Sequence, residues 1–227
     1  MHDLEMVHGD LKGVCGDIDI GTDISLMTPS IQANILINQD CRACLADFGL
    51  STVTGVQTRA VTGSFVSVLS NDSVMSFTHG GSIRWMSPEL IIPQRYGVEG
   101  NRPTKMSDCY ALGMVIYEVG VSVGDFKLQV LKCAQVLCGY VPYHDMPRGL
   151  AIMTAISEGV RPEKPENAMD LGFTEALWET VEKCWAGDRS ARPDVKEILS
   201  CLSGTPLPRR AGRLTAGFMY KRILGAF

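Results

Sequence analysis

Six short stretches follow one another along this 227-residue chain: VHGDLKG from Val7, NILI from Asn34, LADFGLS from Leu45, RWMSPEL from Arg84, SDCYALGMVIYE from Ser107 and DRSARPDVKEIL from Asp188. Their order constrains the fold more than any bulk property. The early stretches hold apolar pieces of strand length, Ile35–Ile37 and Ala43–Ala46, followed by an Asp-Phe-Gly turn. From Trp85 onward the pattern becomes helical. Thr104 or Ser107 can open a helix through DCYALGMVIYE. Asp108 then sits near its first turn, where free N–H groups and the helix dipole favour a carboxylate. Thr174 can cap a second helix, EALWETVEKCW, with Leu177, Val181, Cys184 and Trp185 on one stripe. Asp194 and Glu197 make a capping-box pattern for a third, lined by Val195, Ile198, Leu199 and Leu202 and ended by Gly204. Trp178 and Trp185 read as core. Residues 51–81 are rich in Ser, Thr, Val and Gly and read as a long surface loop.

Bulk properties exclude some functions. With 45% hydrophobic and 20% charged residues, the chain can build a packed core. A net charge of −4 gives no reason to expect a nucleic-acid partner. Met1 to Asp10 lacks the basic and apolar regions of a secretory signal. The longest apolar stretch, Cys109 to Gly124, is broken by Glu118 and reads as a buried helix, not a membrane span. The eight cysteines therefore read as reduced thiols of a cytosolic or nuclear protein. Cys41 and Cys44 form one CxxC, but no second ligand pair accompanies it, so zinc is not expected. The tail from Ser203 to Phe227 has five Lys/Arg and no acid, and reads as a solvated, poorly ordered segment.

His8-Gly9-Asp10-Leu11-Lys12 and Asp47-Phe48-Gly49 carry the chemistry. Phosphoryl transfer from a nucleotide needs a carboxylate to take the proton of the attacking hydroxyl. It needs oxygen ligands for magnesium and a cation to offset developing charge. Asp10 fits the first role, Asp47 and the amide oxygen of Asn34 the second, and Lys12 the third.

The six stretches in this order resemble the C-terminal lobe of a eukaryotic protein kinase, of the tyrosine-kinase-like branch, over Met1 to about Leu202. The resemblance implies an α+β, protein-kinase-like fold: a mainly α-helical lobe with short β hairpins. It implies ATP and Mg2+ as cofactors, a protein substrate, and no membrane or nucleic-acid partner. Asp10 matches the catalytic-loop aspartate. Lys12 matches the lysine two residues on, which leans toward Ser/Thr substrates. Asn34 and Asp47 match the two magnesium ligands. His8 and Phe48 match spine residues of the lower lobe, with Gly49 closing the Asp-Phe-Gly motif, and Leu36 resembles the residue beneath the adenine. Glu89 and Arg192 resemble a buried ion pair that braces the substrate-binding segment. Asp108 resembles the aspartate that anchors the catalytic loop, and Ser82 falls where a substrate-positioning Thr or Ser is expected. Asp47 to Glu89 would be the activation segment, with twelve Ser/Thr between Ser51 and Ser82. Phosphorylation there, or mere hydrophilicity, would account for them. Gly9 stands where many kinases carry an arginine that pairs with a loop phosphate.

The resemblance begins abruptly. No GxGxxG loop, no Val-Ala-Ile-Lys-like strand and no partner glutamate precede Met1-His2-Asp3-Leu4-Glu5-Met6, which resembles the last turn of the preceding helix. The N-terminal lobe is thus expected to be absent, and the chain by itself inactive. Two interruptions also break the pattern. Removing 14–32 gives HGDLKGANILI, and removing 119–135 joins MVIYE to VLCGYVPYHD. Both begin with Val and end with Gln, both are in frame, and codons for these residues can begin GT and end AG. They read as translated introns. Continuous cDNA reads through Gly13–Cys15 and Glu118–Gly120 in the main transcript would refute this. Within 14–32, Asp17, Asp19 and Asp23 suggest a calcium loop but lack the distal Glu. A regulatory loop is the other alternative, since each doubling of loop length costs only about 0.6 kcal/mol. Two further functional readings stand beside the enzyme: a kinase-like binding module using the helical surface around His144 to Ile156 or the activation segment, and an incomplete gene product.

Overall fold

The computed structural model describes residues 1–13, 34–37, 43–53, 82–98, 100–124, 141–146, 148–166, 168–169 and 173–204. The basic tail beyond 204, Cys41, all of segment 14–33 and all of the Ser/Thr-rich stretch 54–81 lie outside the described residues.

Helix α2, Lys105–Gly124, is the axis of the core. Thr104 opens it: Thr104 Oγ1 accepts from Ser107 N at 3.2 Å, and Ser107 Oγ returns a bond to the Thr104 carbonyl at 2.7 Å. Cys109, Tyr110, Leu112, Met114, Val115 and Ile116 are all nearly inaccessible. A helix apolar on every face must be covered on every face. Helix α4 (Glu175–Cys184) packs against it, with the turns Ser82–Trp85 and Arg189–Ala191; α1 (Pro88–Ile91) packs on α3 (Gly149–Ser157), and α5 (Val195–Gly204) on α4. Helices α2 and α4 approach each other closely. A Cβ added to Gly113 would lie 2.6 Å from Cys184 Cβ, so glycine is what lets the two backbones meet. Around that contact Phe173, Tyr117, Trp178 and Trp185 pack as a ring cluster, mostly edge to face, with Trp178 and Trp185 centroids 5.9 Å apart. Burial pushes the Cys109 thiol up to about 12 and raises that of Cys184, so both behave as small hydrophobic residues rather than nucleophiles.

Helix caps match the sequence pattern. Thr174 Oγ1 accepts from Leu177 N at 3.2 Å, and Asp194 Oδ1 from Glu197 N at 2.9 Å. Leu177, Val181, Cys184 and Trp185 are all buried, as are Val195, Ile198 and Leu202.

Three features bear on the sequence reading. The helix α2 continues past Glu118 to Gly124, as the helical reading of Cys109 to Gly124 has it, and so enters the span read as the second insertion. Val119 to Gly124 contains no proline, and an established helix extends at little cost. Second, Thr52–Val53 (β4) pairs antiparallel with Met6–Val7 (β1), although Thr52 and Val53 lie in the stretch read as loop. Two-residue strands are too short to show alternation. Third, the strand expected over Ala43–Ala46 stops at Leu45. This strand, β3, pairs antiparallel with Ile35–Ile37 (β2). Among the described residues no helix is long and apolar enough to cross a membrane.

Candidate functional site

Asp108 organises the loop that carries the candidate catalytic groups. It lies in the first turn of α2, 2% exposed, and its carboxylate accepts from His8 N at 2.8 Å and Gly9 N at 2.9 Å. His2 Nε2 donates a third bond to it at 3.0 Å. A buried carboxylate needs such donors together with the positive end of a helix. These bonds bend the chain through Gly9, whose φ is +84°. A Cβ there would lie 2.9 Å from Pro103 Cγ and 3.0 Å from the Leu50 carbonyl. Gly9→Arg, which would install the residue that the kinase resemblance leads one to look for, is therefore expected to cost about 1–3 kcal/mol and to lower Tm measurably. A Gly9→Arg chain melting with the wild type would show that Pro103 moves aside.

Beyond that bend, four predicted residues meet. Lys12 Nζ donates to Asp10 Oδ2 at 2.8 Å and to Ser82 Oγ at 2.9 Å. Asn34 Nδ2 donates to the Asp10 carbonyl at 2.6 Å and to Asp10 Oδ2 at 3.0 Å. Lys12, Asn34 and Ser82 are buried, whereas Asp10 is partly open. The backbone closes the same ring: Asn34 N donates to the Lys12 carbonyl at 2.9 Å, and Ala46 N to the Asn34 carbonyl at 2.9 Å. Lys12 and Asn34, on either side of segment 14–33, are thus bonded directly. Asn34, twenty-four residues from Asp10, sits beside it.

His8 joins this ring to the Asp-Phe-Gly turn. Its Nε2 donates to the Ala46 carbonyl at 2.9 Å, which leaves Nδ1 to accept from Asp10 N at 3.3 Å. Its ring lies 5.1 Å from that of Phe48. Phe48 is 47% exposed, so this end of the predicted spine faces outward among the described residues. Asp47 is exposed, with φ +58°, and accepts from Gly49 N at 3.4 Å. Leu36 lies mid-strand in β2, opposite Cys44. Asn34 turns its amide nitrogen to Asp10, which sets its Oδ1 on the other side. An amide oxygen and a carboxylate are the hard donors that Mg2+ takes alongside phosphates and water. Among the described residues no three His, Cys, Asp or Glu side chains gather into an all-protein metal cage.

Glu89 and Arg192 form a bidentate pair: Nη1 donates to Oε1 and Nη2 to Oε2, both at 2.7 Å. The side chains are 3% and 0% exposed. Burial pushes the Glu89 carboxyl up, but the hydrogen bonds and charge of Arg192 outweigh it and hold the group below its ordinary value. Arg192 also donates to the carbonyls of Ala186 and Met106, each at 3.0 Å, and covers the Tyr110 ring.

Sequence reasoning missed His2, Arg84 and the Trp85–Glu118 pair. Trp85 Nε1 donates to Glu118 Oε2 at 3.1 Å in the core. Arg84 binds three carbonyls of the segment before α3. None of these has a local signature, because each partner lies at least 33 residues away.

Comparison with known proteins shows the family. A family model described as protein tyrosine and serine/threonine kinase matches residues 31–202. The match takes in Asn34, Asp47, Ser82, Glu89, Asp108 and Arg192, and starts after His8–Lys12. The chain is also 29% identical over 198 residues to ephrin type-A receptor 5 of Gallus gallus and 28% identical to that of Homo sapiens. It is 29% identical to ephrin type-A receptor 4-B of Xenopus laevis. These alignments take in 86% of the chain but only 15–16% of the relatives' length. With three quarters of its residues matched in a mainly helical kinase-like fold, the chain belongs to the protein tyrosine and serine/threonine kinase family.

Proposed function

We propose that the chain is the catalytic lobe of an ATP-dependent protein kinase acting on serine or threonine hydroxyls. The observation that carries this reading is Lys12 Nζ bridging Asp10 Oδ2 and Ser82 Oγ, at 2.8 and 2.9 Å. Asp10 is the group that orients and accepts the proton of the acceptor hydroxyl. Lys12, beside it, offsets charge as the phosphoryl group moves. Ser82 holds the acceptor segment against this pair. Asn34 Oδ1 and the Asp47 carboxylate would hold Mg2+, which neutralises the phosphates when bound, and Leu36 would lie under the adenine. The family description also covers tyrosine kinases, so tyrosine is the second acceptor to test.

Positioning and electrostatics supply nearly all the rate in this chemistry. The 227 residues include no GxGxxG loop and no strand lysine to clamp the phosphates. Assayed alone, the polypeptide is therefore expected to bind ATP·Mg2+ weakly and to transfer phosphate at a negligible rate. The test combines a thermal-shift titration with ATP and Mg2+ and a radiolabel assay offering Ser, Thr and Tyr peptides. Magnesium-dependent stabilisation lost in Asp47→Ala supports the reading. Robust turnover abolished by Asp10→Ala would overturn the expected inactivity. A complete lack of nucleotide response would favour the binding-module alternative.

A further inference from the structure

The four-residue turn Ser82–Trp85 is held from three directions. Ser82 is bound by Lys12, and Trp85 by Glu118 of α2. Arg84 reaches the other way, into the segment that leads to α3. Its Nη1 donates to the carbonyls of Pro142 and Tyr143, at 2.8 and 2.5 Å, and its Nη2 to that of Met146, at 3.0 Å. At the far end of α3, Arg95 Nη1 donates to the Ser157 carbonyl at 2.7 Å. All four acceptors are backbone carbonyls, so these ties follow the path of the chain and not its side chains. A planar guanidinium fixes the direction of each bond, which a lysine cannot do.

The loop gripped by Arg84 is itself strained. Tyr143 has φ +56°, a left-handed conformation that a bulky residue adopts only when its surroundings impose it. Two bonds hold it there: its hydroxyl donates to the Val160 carbonyl at 3.0 Å, and its own carbonyl accepts from Arg84. Strain of this kind collects at functional positions because it is released when the clamp is lost.

We infer that Arg84 is a positioning residue: it locks the loop Val141–Met146 against the turn Ser82–Trp85 and so sets Ser82 beside Lys12 and Asp10. The inference rests on the kinase reading for its consequence, acceptor placement, and on geometry alone for the lock. The loop before α3 then becomes part of the acceptor-binding apparatus although it touches neither Asp10 nor Lys12 in any bond described above.

The test compares wild type, Arg84→Ala and Arg84→Lys in the full 227-residue chain. Hydrogen exchange is followed by mass spectrometry, and acceptor binding by anisotropy of a labelled serine-centred peptide mixture. Arg84→Ala is expected to speed exchange about tenfold in Ile83–Met86 and Val141–Met146, as expected for a local opening, with Cys109–Tyr117 unchanged. Acceptor affinity should fall about fivefold to tenfold, with Arg84→Lys between the two. Exchange that rises equally throughout the chain, or in neither segment, overturns the inference. Wild type that binds no acceptor refutes the kinase reading instead, and the exchange pattern still decides the lock.

Discussion

Arg192→Ala is expected to lose about 3–5 kcal/mol of stability, a large part of the whole for a domain of this size. The loss comes less from the missing attraction than from what remains. The Glu89 carboxylate would stay buried without its two bonds from the guanidinium. Arg192 also ties three other parts of the fold, through the carbonyls of Ala186 and Met106 and the face of Tyr110. Replacing both partners by apolar residues, as in Glu89→Leu with Arg192→Met, should cost much less, because no uncompensated charge remains. Urea titration followed by circular dichroism measures both. Equal midpoints for Arg192→Ala and the wild type would rule this account out. The pair also carries a pH signature. Glu89 is held below its ordinary value of 4.5, so the folded state binds fewer protons there than the unfolded chain. Its contribution is present above about pH 4.5 and is lost as pH falls through the lowered folded value.

Glu118→Gln is expected to stabilise the protein at pH 8 by several kcal/mol, of the order of 1.4 kcal/mol per unit of pKa shift. Burial pushes the Glu118 carboxyl up from 4.5 to about 8, and the one bond from Trp85 only partly offsets it. The sign is opposite to that of Glu89. Here the folded state binds the extra proton, so the contribution is fully present below about pH 4.5 and is lost as pH rises toward 8. Glutamine keeps an acceptor for the Trp85 indole without an ionisable group. Melting temperature should therefore decline from pH 5 to 8 in the wild type, with a shallower decline in Glu118→Gln. Parallel profiles would show that water or another donor already satisfies the carboxylate.

The legible features were local ones. Thr174 and Asp194 sit three residues ahead of the amides they cap, and the stripe from Leu177 to Trp185 repeats at helical spacing, so a short window is enough to see them. The site residues were legible through the ordered stretches that contain them, and the structure gathers Asp10, Lys12, Asn34 and Ser82 into one cluster. Glu118 was visible only as a charge interrupting an apolar run. Its burial depends on Trp85, 33 residues earlier. His2 carried no signal, because its partner Asp108 is 106 residues away.

Residue identity and spacing along the chain were thus sufficient for helices α2, α4 and α5 and their caps, since these depend on interactions within one or two turns. Distance between elements was decided by packing. Gly113 sets how near α4 comes to α2, and Asp108 holds His8 and Gly9 in the bend that presents Asp10. Asn34 comes beside Asp10, twenty-four residues earlier, where its backbone N–H bonds the Lys12 carbonyl. Such contacts arise only when several elements have docked, because each alone is too weak to offset the entropy of closing the chain around it.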